Sequence, residues 1–68
     1  MEFEFTGTLY VEENDLREMC EMCQKTKCTP QEALNIVSDG WDDCDFYLVG
    51  LVEEKIIKEI EKRLTSAL

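Results

Sequence analysis

The chain has 68 residues, 44% of them hydrophobic and 9% aromatic, and its 16 acidic residues against 7 basic ones leave a net charge of −9. So short a chain makes a single domain, residues 1–68, which hides only about 60% of its unfolded surface and has a core near the minimum for independent folding. That charge repels nucleic acid and anionic membranes alike. The longest apolar run falls short of the ~18 residues of a membrane span, and Glu2 and Glu4 stand where a signal peptide carries bases. The expected setting is the cytoplasm.

The first segment, EFEFTGTLYVE, alternates. Phe3, Phe5, Gly7, Leu9 and Val11 fall on one face, and Glu2, Glu4, Thr6, Thr8 and Tyr10 on the other. This is the period of a half-buried strand, whose unpaired backbone groups need a second strand in this chain or in another copy. ENDLREMCEMCQKTK then reads as a helix capped by Asn14. Its acids (Asp15, Glu18) come first and its bases (Lys25, Lys27) last, as the helix dipole favours. Leu16, Cys20 and Cys23 form its apolar stripe, widened by Met19 and Met22.

The sharpest local signal is TPQE. Thr29 is the cap, Pro30 takes the first helical position, and Glu32 completes a capping box. That helix carries Ala33, Leu34, Ile36 and Val37 and is expected to end at Gly40 in a left-handed conformation. Residues 45–49 read either as a second short strand or as the lead-in to a third helix, since so short an apolar run does not separate the two. From Leu51 a helix is expected, with Val52, Ile56, Ile60, Leu64 and Leu68 at four-residue spacing and Leu51, Ile57 and Ala67 beside them. Glu54–Lys58 and Glu59–Arg63 are candidate ion pairs on its wet side. The fold class is α+β: an N-terminal strand and three helices, with the second strand near 45–49 open. The breadth of the last apolar band points to a second subunit, hence a homodimer.

Cys20, Cys23, Cys28 and Cys44 are spaced C-x2-C-x4-C-x15-C, and four thiolates invite a zinc reading. The first two, however, fall inside a helix with no glycine to turn their sulfurs together, and on its apolar side a reduced cysteine packs as a small hydrophobe. The expectation is therefore core packing, with no metal and no cofactor. The chain has no histidine, which removes the commonest general base. Gly7, Gly40 and Gly50 stand alone, so no phosphate loop is formed, and an enzyme is not expected.

SDGWDDCDFY, residues 38–47, packs four aspartates and three aromatics into ten residues, inside a 27-residue window (28–54) that contains no Lys or Arg. Asp39, Asp42, Asp43, Asp45, Glu53 and Glu54 are candidate partner-binding charges. Carboxylates three or four apart on a helix lie about 5–6 Å from each other and can imitate successive phosphates. Aromatics supply the desolvated anchors of an interface. Trp41, Phe46 and Leu48 are expected to be buried, leaving Tyr47 as the exposed anchor.

The order strand, helix, short turn, capped helix over residues 4–41 resembles the ribbon-helix-helix family of dimeric DNA-binding regulators, whose paired strands read the major groove. The corresponding outward residues here would be Glu2, Glu4, Thr6, Thr8 and Tyr10, the wrong chemistry for phosphate. In size, charge and lack of catalytic residues the chain is also similar to small acidic phage-encoded inhibitors of nucleases and CRISPR effectors. The favoured expectation is an acidic, non-enzymatic inhibitor or nucleic-acid mimic that occupies a basic protein surface, without contacting nucleic acid or membrane itself. The alternatives are a ribbon-helix-helix-like regulator or antitoxin, and an accessory interaction domain with no electrostatic target.

Overall fold

A three-residue loop, Phe5-Thr6-Gly7, breaks the alternating segment in two. A computed structural model, which describes residues 1–66, places β1 at Glu2–Glu4 and β2 at Thr8–Tyr10. They pair antiparallel in the register Glu2↔Tyr10, Phe3↔Leu9, Glu4↔Thr8. The Val11 N–H donates to the Met1 carbonyl at 2.8 Å, and the Phe5 N–H to the Gly7 carbonyl at 3.0 Å. The strand's partner thus lies in the same chain. Gly7 fits a close approach: a Cβ there would stand 3.1 Å from the Phe5 ring, which would have to shift by a few tenths of an ångström to admit it. Phe3, Leu9 and Val11 all point inward and are buried.

Three helices follow, α1 (Glu13–Thr26), α2 (Pro30–Ser38) and α3 (Asp43–Ser66), so the expected α+β class holds. α1 starts at Glu12, an N-cap without a side-chain hydrogen bond, and not at Asn14. It ends on Lys27 in the left-handed region, φ 60°. α2 opens on the expected capping box, with the Thr29 hydroxyl accepting from the Glu32 N–H at 3.2 Å and the Glu32 carboxylate accepting from the Thr29 N–H at 3.3 Å. Its end corrects the expectation for Gly40: Asp39 caps the helix in the right-handed region, and Gly40 has no positive φ.

Residues 45–49 are helical, not a strand, and α3 begins eight residues before Leu51. The reason lies in the period. Val49, Val52, Ile56 and Ile60 recur at spacings of three and four and are all buried, so residues 45–49 supply the first turn of one continuous helical stripe. At 24 residues α3 is about 35 Å long, close to the largest dimension of the molecule, 33 Å. It is the spine on which the hairpin, α1 and α2 pack. Leu64 is half-buried, while Ala67 and Leu68 lie outside the described residues.

Leu16, Met19 and Cys23 of α1 and Ala33 and Leu34 of α2 complete the core. Trp41 packs partly buried against it, as does Leu48, but Phe46 is 53% exposed. The early start of α3 turns Phe46 to the flank of the helix. Gly50 sits mid-helix with open space where a Cβ would be. Gly50→Ala is therefore expected to raise the unfolding free energy by about 0.5–1 kcal/mol through helix propensity, read as a higher midpoint in urea unfolding.

Candidate functional site

Residues 28–54 contain seven acids and no base, so they carry seven of the nine net negative charges. The fold decides which of them act together. Asp42 ends the connector and caps α3 through its carbonyl, which accepts from the Phe46 N–H at 2.8 Å. Asp43 and Asp45 occupy the first turn of α3, where the helix dipole stabilises negative charge.

An open groove of about 370 Å³ runs between the start of α3 and the start of α1. Asp42 and Asp45 from the start of α3 and Glu12 and Asp15 from the start of α1 line it, together with Trp41 and Tyr10. Of these, Glu12, Asp15 and Tyr10 escape a reading of the sequence. Glu12 and Asp15 look like ordinary helix-start charges, and only the packing of α1 against the α2–α3 connector brings them opposite Asp42 and Asp45. Four carboxylates and two aromatic rings, with no cation lining the groove, suit guanidinium or ammonium groups, which the carboxylates bind by charge-assisted hydrogen bonds and the rings by cation–π contact.

The other candidates lie elsewhere. At about 100° per residue, Tyr47 is turned some 200° from Asp45 along α3, and it is 77% exposed. Asp43, Tyr47 and Glu54 are all exposed, on the side of α3 away from the core. Glu53 is half-buried and lines a second groove with Asn35, Phe46, Tyr47 and Gly50. Asp39 is exposed at the end of α2. The single acidic and aromatic cluster of the sequence is thus divided among four places on the surface.

Arg63 forms the principal ionic contact. Its guanidinium donates in a fork to Glu13, both contacts at 2.9 Å, and to Glu59 at 2.7 Å. These hydrogen bonds hold the Glu13 carboxyl below its ordinary range and raise Arg63 further. The expected Glu59–Arg63 pair therefore forms, whereas Glu54 and Lys58 do not pair. Arg63 ties the start of α1 to the end of α3 and is consumed in doing so.

Among the described residues no three His, Cys, Asp or Glu side chains converge to hold a metal ion. Cys23 is buried, Cys20 and Cys28 are half-buried, and Cys44 is exposed at the start of α3. Burial, and next the neighbouring Cys28, push the Cys23 thiol up to about 11 from an ordinary 9.0. The folded state therefore holds this proton where the unfolded state has lost it, and stability falls as pH rises from about 9 to about 11. The melting temperature is expected to drop across that window, and Cys23→Ala to flatten the drop. Identical pH profiles for the two proteins would remove Cys23 as the cause.

No described helix is long and apolar enough to cross a membrane. The chain matches no protein-family model, no curated protein and no solved structure.

Proposed function

We propose that this is an acidic, non-enzymatic cytoplasmic binding protein that acts by occupying a basic, nucleic-acid-binding surface of a partner protein. The observation that carries this reading is the groove lined by Glu12, Asp15, Asp42 and Asp45 together with Trp41 and Tyr10. Carboxylates from two helix starts present negative charge at spacings set by the fold, as a phosphate backbone does. The rings add the apolar contact that turns attraction into a held complex. An inhibitor of this kind needs no catalysis, since filling the surface excludes the nucleic acid.

The test uses immobilised protein, a cell lysate and duplex DNA. Basic nucleic-acid-binding proteins are expected to be retained and to be released both by salt and by added duplex DNA, which competes for the same surface. The chain itself is expected not to bind duplex DNA at low salt. Salt-sensitive DNA binding by the chain would instead favour the ribbon-helix-helix-like regulator. Failure to bind either would leave an accessory domain whose acids are merely solvated.

A further inference from the structure

The side of α3 that faces away from the core is complementary to itself. Asp43, Tyr47, Gly50, Leu51, Glu54 and Lys58 all fall within about 100° of arc on the helix surface, and all six are exposed. Two of them are large apolar or aromatic side chains left in water, Tyr47 at 77% and Leu51 at 54% exposure. Between them Gly50 leaves a notch, since the position of its missing Cβ has no atom within 4 Å. Acid lies at one end of the stripe and base at the other, and Glu54 and Lys58 are not paired with each other.

From this arrangement we infer that α3 associates with the α3 of a second copy, antiparallel, about a two-fold axis between Gly50 and Leu51. In that register Asp43 meets the partner's Lys58. Tyr47 meets the partner's Glu54, whose carboxylate accepts from the Tyr47 hydroxyl. Leu51 enters the notch at the partner's Gly50. Symmetry makes each contact twice, as an isologous interface requires. A parallel arrangement would set Asp43 against Asp43 and Lys58 against Lys58, so charge selects the antiparallel one. The contact is about 22 Å long, from the rise over fifteen residues, and narrow. Such an interface belongs to the small, dissociable class, and the dimer is expected to form and fall apart with concentration. The acidic groove of Glu12, Asp15, Asp42 and Asp45 lies on another side of the molecule and stays open, so the dimer presents two such grooves.

Sedimentation velocity over a concentration series, with circular dichroism to verify folding, tests the assignment by charge exchange. Asp43→Lys and Lys58→Asp, each alone, place like charges opposite one another twice per dimer and are expected to weaken association at least about tenfold. The double variant Asp43→Lys/Lys58→Asp restores opposite charges in this register and is expected to return to within about threefold of the native protein. Gly50→Leu fills the notch and is expected to abolish association while raising the melting temperature through helix propensity. A native chain that stays monomeric up to about 1 mM overturns the proposal, as does a double variant no better than the single ones.

Discussion

Ile56→Ala is expected to lower the unfolding free energy by about 2–5 kcal/mol, the usual cost of emptying a fully buried aliphatic site. Ile56 is 0% exposed at the middle of α3, in the core onto which the hairpin, α1 and α2 all pack. α1 and α2 also pack on each other, but among the described residues the hairpin meets no helix except α3, so little is free to collapse into the space. At roughly 0.05–0.15 kcal/mol per residue a domain of this size holds about 3–10 kcal/mol in total, and the substitution consumes much of it. The variant should be substantially unfolded at moderate temperature in circular dichroism. Ile36 is the control: it has nearly the same chemistry but is 59% exposed on α2, and Ile36→Ala should cost under about 0.5 kcal/mol. Equal losses at the two positions would contradict the description of α3 as the spine of the core.

The second large effect concerns recognition. Glu12→Lys combined with Asp42→Lys reverses one exposed carboxylate on each wall of the groove. Capture of basic partners should fall at least about tenfold, because two attractions become repulsions at contact range. Each lysine also sits at a helix start, where it opposes the dipole by about 0.3–1 kcal/mol. Relief of repulsion among the acids offsets part of that, so the fold should survive. Asp43→Lys combined with Glu54→Lys changes the net charge by the same amount on the outward face of α3 and, compared at concentrations where both proteins are monomeric, should leave capture nearly intact. If both double variants lose capture equally, bulk charge and not the groove is responsible. If neither loses it, the partner contact lies elsewhere.

The contrast between those two variants shows how far the sequence can be read. Thr29, Pro30 and Glu32 determine the start of α2 by contacts within four residues, and that start is where the pattern places it. Glu12 caps α1 without a side-chain bond, so the nearby Asn14 is the more conspicuous and the wrong choice. The hairpin leaves no mark because its loop preserves the alternation: Phe3 and Leu9 face the same way across the turn as they would along one strand. DFYLV is ambiguous at five residues, and only its continuity with Val52, Ile56 and Ile60 commits it to a helix. That commitment also divides the candidate site, since a helix turns Asp45 and Tyr47 to opposite sides where a connector would present them together. Asp42 and Asp45 were legible as charges, but their opposition to Glu12 and Asp15 is a product of packing between segments about 30 residues apart in the chain.

The loop of three residues between β1 and β2 also bears on how quickly the molecule assembles. Because the first strand finds its hydrogen bonds in the next one, and α1 packs on the helix that follows it, most of the structure closes between neighbours in the chain. The docking of α3 onto the hairpin and onto α1, with the Arg63–Glu13 contact, joins distant parts of the chain. Domains built this way fold at the fast end of the range, on the order of microseconds to milliseconds, in a first-order process indifferent to concentration. Any association of two copies is then a later and separate step, made between surfaces that already exist.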